Sequence, residues 1–169
     1  IFLNQSTAPQ LKEKEVRAAL AAATDRQKIV SVIFGELAQS VSGPIPPNIS
    51  GYDSEIFKNE LFSIEKANGL LESSGWKLNE DGVREKLVQR NKAKLEFDIM
   101  VPEVKFLIDT VNLLKEDWQK IGVRLNPIIL KSADIISGTI KPRNYQMVIF
   151  GNTLNNNPDV FSFWHSSQR

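Results

Sequence analysis

The chain has 169 residues, 41% of them hydrophobic, which suffices for a buried core and argues against disorder. Its 21 basic and 20 acidic side chains leave a formal net charge of +1, so no global field collects nucleic acid or an anionic membrane, and partners must be recognised locally. With zero cysteines there is no disulfide framework, thiol nucleophile or cysteine metal site, and an oxidising compartment is permitted without being required.

The opening IFLNQSTAPQ reads as a strand and lacks the basic start and small-residue cleavage site of a secretory signal. No apolar stretch approaches the roughly 18 residues of a membrane helix. The absence of an initial methionine, and a halt at Arg169 soon after an aromatic run, suggest a piece of a longer protein whose targeting segment lies elsewhere. Within that piece, residues 1–169 are expected to form a single domain.

Val16, Leu20, Ala23, Ile29, Val30 and Ile33 recur at mostly helical spacing, predicting one helix over 16–34 that stops at Gly35. Residues 37–60 are rich in Ser, Gly and Pro, which set turns and deny a helix its N–H donors, so a long loop is expected. Ser63 can cap a short helix whose Ala67, Leu70 and Leu71 share a face, with Gly75 as its left-handed exit before Trp76. The following NEDGVREK reads as a turn.

LEFDIMV, residues 95–101, alternates apolar and charged positions, the pattern of a strand with one buried face. Pro102 and Glu103 then open the clearest helix, with Val104, Leu107, Ile108, Val111, Leu114, Trp118 and Ile121 on one stripe and Gly122 as its stop. VRLNPIIL resumes the strand pattern, with Pro127 marking an edge or bulge; SADIISGTI reads as a short helix and YQMVIF as a further strand. Alternation of strand and helix implies βαβ units on a mainly parallel or mixed sheet flanked by helices, an α/β architecture. Ligands of such sheets sit beyond the carboxyl ends of the strands, which is where residues 151–157 fall.

Chemistry in the sequence is sparse. His165, the single histidine, could act as a general base, yet no GxSxG elbow or nucleophile arrangement accompanies it, and a packing or hydrogen-bonding role is the simpler reading. Neither HExxH nor DxDxDG is present, and no GxGxxG or GxxxxGK[ST] follows a strand, so neither a metal nor a nucleotide cofactor is expected. Asn152, Asn155, Asn156 and Asn157 can each donate and accept, suiting sugar hydroxyls or peptide backbone, although asparagines also simply make turns. Phe161, Phe163 and Trp164 could stack on a ligand or be buried in a short helix; Trp164 is the best candidate for contact. Lys12, Lys14 and Arg17, like Arg84, Lys86 and Arg90, read as solvated faces.

VRAALAAATDRQKIV (16–30), GELAQSVSGPIPP (35–47), KANGLLESSGW (66–76), IGVRLNP (121–127) and YQMVIFG (145–151), in this order and spacing, resemble the extracellular solute-binding proteins of family 5, receptors of oligopeptide and dipeptide ABC importers. The resemblance implies a periplasmic-binding-protein-like class II fold, of which this chain is similar to the C-terminal lobe, with the first lobe missing and half a site in hand. It also implies an extracytoplasmic monomer, in the periplasm or lipid-anchored at the cell surface. Its partners would be a peptide or oligosaccharide ligand and an ABC permease; neither nucleic acid nor catalysis is implied. In peptide-binding members an aromatic-x-x-Asp pattern precedes a proline after the last strand, and the aspartate pairs with the peptide amino terminus. Counting back from Pro158, these positions fall on Gly151 and Leu154, so both anchors are lost and a neutral polar ligand is favoured. The expected ligand contacts are Asn152, Thr153, Leu154, Asn155, Asn156, Trp164 and His165. A ligand-sensing or interaction domain of the same fold, in a regulator or surface protein, is the alternative.

Overall fold

The computed structural model describes residues 1–43, 45–47, 49, 51–56, 61–88 and 90–151. A short strand, β1 (Phe2–Leu3), opens it and a 3-10 turn at Pro9–Lys12 follows. The stretch predicted as one helix is two, α1 (Lys14–Ala22) and α2 (Arg26–Ile33). Asp25 makes the break: its carboxylate accepts from the Lys28 amide at 2.9 Å and so caps α2, while Thr24 Oγ1 donates back to the Leu20 carbonyl at 2.7 Å and closes α1. Gly35, at φ +57°, follows α2 as expected. The loop after it holds neither helix nor strand between Ala38 and Phe62 among the described residues. It is tied at one end by Gln27 Nε2 donating to Ser40 Oγ at 2.9 Å and at the other by the Ser63 amide donating to the Ala22 carbonyl at 2.9 Å.

Ser63 caps α3 (Ile64–Ser73) by accepting from the Lys66 amide at 3.0 Å; Ala67 and Leu71 are buried, Leu70 partly, and Gly75 at φ +86° turns the chain into a buried Trp76. NEDGVREK is only half a turn. Residues 79–82 reverse the chain, but Arg84 begins a strand in an antiparallel sheet of β2 (Lys77–Leu78), β3 (Arg84–Val88) and β4 (Asn91–Lys94). The residue that β3 points inward is an arginine, so the usual apolar alternation is missing from its sequence. Arg84 is 2% exposed, which corrects its reading as a solvated charge. Lys86 is half-withdrawn as well, donating to both Glu13 oxygens at 3.0 and 2.9 Å. Arg17 Nη1 donates to the Leu11 and Lys12 carbonyls at 2.8 and 2.9 Å. Lys12, Lys14 and Arg90 are exposed, as expected.

The second sheet runs in the order β1-β7-β5-β6, with β5 (Glu96–Pro102), β6 (Arg124–Leu130) and β7 (Met147–Val148) mutually parallel and β1 antiparallel to β7. Phe97, Ile99 and Val101 of β5 are buried while Glu96, Asp98 and Met100 face outward, so the period-two reading holds. Between β5 and β6 lies α4 (Lys105–Gln119), whose buried Leu107, Val111, Leu114 and Trp118 cover one sheet face; each such side chain contributes about 1.5–3 kcal/mol. α5 (Ser132–Ile135) leads through a wider π-type turn, Ile136–Ile140, toward β7. Pro127 sits on the outer strand. Since the Arg124 amide bonds the Leu95 carbonyl, residues 124, 126, 128 and 130 face β5, and Pro127 falls where no ladder donor is needed.

Candidate functional site

β5, β6 and β7 point the same way, so their carboxyl ends converge on one edge of the sheet. Pro102 is level with Leu130 in the register, and the Ile149 amide donates to the Met100 carbonyl at 3.1 Å, carrying β7 to the same level. Phe150 is fixed there by Phe2 of β1, the rings stacked with centroids 4.7 Å apart and planes 4° from parallel. Gly151 emerges exposed at this edge. The expected contacts Asn152, Thr153, Leu154, Asn155, Asn156, Trp164 and His165 follow it in sequence and lie outside the described residues.

Around this edge the structure supplies its own groups. The Glu103 amide donates to the Leu130 carbonyl at 2.8 Å, closing the loops after β5 and β6 onto each other and leaving the Glu103 and Lys131 side chains exposed. The first turns of α4 and α5 begin here without a side-chain cap, so their amides face the edge with partial positive charge. α2 runs antiparallel to α4: Lys28 meets Glu116 at 3.4 Å and the Asp25 amide meets Asp117 at 3.2 Å at one end, and Phe34 meets Phe106 at the other. That last pair, with centroids 5.7 Å apart and planes tilted by 59°, brings two rings to the carboxyl edge. Sequence reasoning passed over both. The signal was present, because Phe106 lies off the buried stripe of its helix and Phe34 stands just before the stop at Gly35.

A cleft of about 400 Å³ lies at the opposite, amino end of the strands, between Gly82, Lys115, Gln119 and Arg124. It is remote from the loops that an α/β sheet uses for ligands. Among the described residues no group of three or more His, Cys, Asp or Glu side chains could hold a metal ion, and no helix is long and apolar enough to cross a membrane. The edge therefore offers apolar rings, backbone dipoles and isolated polar groups, a set suited to recognition by shape and hydrogen bonding.

The family model for bacterial extracellular solute-binding proteins, family 5 Middle, matches residues 1–169. The oligopeptide-binding protein AppA of Bacillus subtilis is 29% identical over 163 residues, covering 93% of this chain and 29% of its own length. The structure of B. subtilis AppA in complex with a nonapeptide superposes with a TM-score of 0.86 at 27% identity, over 98% of this chain and 33% of that one. NikZ from Campylobacter jejuni in complex with Ni(L-His) gives a TM-score of 0.78 at 27% identity, over 94% of this chain and 31% of that one. The chain thus spans about a third, or less, of the relatives it matches. Its helix-flanked mixed sheet is the class II α/β architecture expected from the sequence.

Proposed function

Because the chain belongs to family 5 of the bacterial extracellular solute-binding proteins, we propose that residues 1–169 form one lobe of a two-lobed receptor that captures a peptide for delivery to an ABC permease. The observation that carries this reading is the match, over 98% of the chain, to a structure holding a nonapeptide. The carboxyl edge built by β5, β6 and β7 is one wall of the ligand cleft, and Asn152, Thr153, Leu154, Asn155, Asn156, Trp164 and His165 extend that wall. The opposing lobe supplies the second wall and excludes water, and the receptor works as an extracytoplasmic monomer. It binds without catalysing: named relatives are binding proteins, and no nucleophile and base pair was found in the sequence.

Calorimetry on the full-length polypeptide carrying this chain tests the reading against peptides of graded length, oligosaccharides and nickel-histidine. Heat with peptides alone is the expected result; heat with saccharide or metal chelate alone reassigns the ligand, and no heat with any of them rejects the receptor. Replacing Asn152, Asn155 and Asn156 together by alanine should weaken peptide binding at least tenfold, since each amide lost from a closed cleft removes about 0.5–1.5 kcal/mol.

A further inference from the structure

Phe106 is a large apolar side chain left 41% exposed in the first turn of α4, off the stripe on which Leu107, Val111, Leu114 and Trp118 are buried. Its ring rests on Phe34, the residue that ends α2, and both stand at the carboxyl edge because α2 and α4 run antiparallel. The turn after α2 adds Leu37, which is almost fully exposed. An isolated exposed apolar residue needs no explanation, but an exposed ring packed on a second ring beside an exposed leucine marks a surface that something covers. Polar ligands do not require it.

We propose that Phe106, backed by Phe34, forms an apolar subsite of the cleft that receives one nonpolar side chain of the bound peptide. The inference rests on the receptor reading above and deepens it, because it makes the ligand partly apolar where the amides of residues 152–157 suggest only polar contacts. The pair suits this task. Rings tilted by 59° present one face and one edge, a corner that an aliphatic or aromatic side chain fills better than a planar sugar ring does. The neighbouring Lys105 is engaged with Asp109 at 2.6 Å, so its charge is drawn along the helix and away from the corner.

The test uses the full-length polypeptide and a series of serine-rich pentapeptides in which a single phenylalanine is walked through the five positions. Wild type should prefer phenylalanine over serine at one position by tenfold or more, as expected for one apolar group in a pocket. Phe106→Ala should cut that preference to about threefold or less, weakening the phenylalanine peptide more than the all-serine peptide. Should Phe106→Ala fail to fold, judged by circular dichroism, Phe106→Leu supplies the same comparison with less aromatic surface and an intermediate preference. A wild type with no apolar preference at any position overturns the subsite and leaves the receptor standing. So does a preference that survives in the variant, or equal weakening of every peptide. If no peptide binds at all, the reading of the ligand as a peptide falls and the subsite with it.

Discussion

Arg84 joins three parts of the chain through one side chain. Nε donates to the Ile121 carbonyl at 2.9 Å, Nη1 to the Trp76 carbonyl at 2.7 Å, and Nη2 to Asn68 Oδ1 at 2.8 Å and Glu72 Oε1 at 3.0 Å. The ends of α3 and α4 are thereby held against β3, and the carbonyls of Trp76 and Ile121, just past those helices, receive donors. Truncation strands those buried acceptors, so Arg84→Met should cost about 3 kcal/mol in urea unfolding, and Arg84→Lys should recover little because a single ammonium cannot serve a planar fork of acceptors. Gly122 makes a sharper test of the same corner. Its φ of +75° already disfavours a side chain, and an added Cβ would lie 2.5 Å from Leu78 Cδ2 and 2.8 Å from Arg84 Cγ. Gly82 has nearly the same φ, +72°, with open space around it. Gly122→Ala should therefore lose about 3 kcal/mol or more and Gly82→Ala about 1 kcal/mol, the difference measuring the close approach rather than the backbone strain.

The break between α1 and α2 shows what element-level reading of a sequence can and cannot reach. Apolar spacing runs across it without interruption; the stop lies in side-chain bonds, Thr24 to the turn before and Asp25 to the turn after. α4 reinforces it from outside: the fully buried Asp117 accepts from the Asp25 amide at 3.2 Å and from Lys120 at 2.8 Å, and Trp118 Nε1 donates to Thr24 Oγ1 at 3.0 Å. Asp25→Ala should cost about 1 kcal/mol as a lost cap, and Asp117→Ala about 2 kcal/mol because it leaves the Asp25 amide and Lys120 without their acceptor. The double variant should cost less than their sum, since both substitutions act on one junction; urea unfolding of all four proteins reads the coupling. By contrast β5 and α4 were legible at once, because their periods of two and 3.6 coincide with a single buried face. The β2–β4 sheet was not, since its strands carry charges that pair with one another. In it, Lys92 lies 2.7 Å from Glu85 and holds that carboxyl below the ordinary carboxylate range. The folded-state value being the lower, this contribution is fully present above the ordinary carboxylate value and is lost as pH falls from there through the lower folded value; Lys92→Ala should flatten the acid limb of the stability curve.

For the whole molecule, the landmark segments scattered from 16 to 151 carried the family, and a matched solved structure holds a peptide, yet the expected contacts cluster in residues 152–165, beyond the described part of the chain. What the fold adds is position: Gly151 leaves β7 at the carboxyl edge that also carries Glu103 and Phe106, and the antiparallel α2–α4 pairing brings Phe34, far earlier in sequence, onto Phe106. On the proposed two-lobed reading, a wall of this kind would bind weakly by itself, because water would compete for each polar group until a second wall closed over the ligand. Ligand linkage turns this into numbers. At a peptide concentration one hundred times its dissociation constant, the full-length receptor should gain about 2.7 kcal/mol of unfolding free energy. If the isolated 1–169 chain binds a hundredfold more weakly, the same concentration only equals its dissociation constant, and RT ln 2 gives about 0.4 kcal/mol. Thermal unfolding of both proteins with and without peptide measures the contrast: a clear upward shift of the melting temperature for full length beside an almost unmoved isolated chain supports the shared cleft, whereas equal stabilisation of both would mean that this chain holds a complete site.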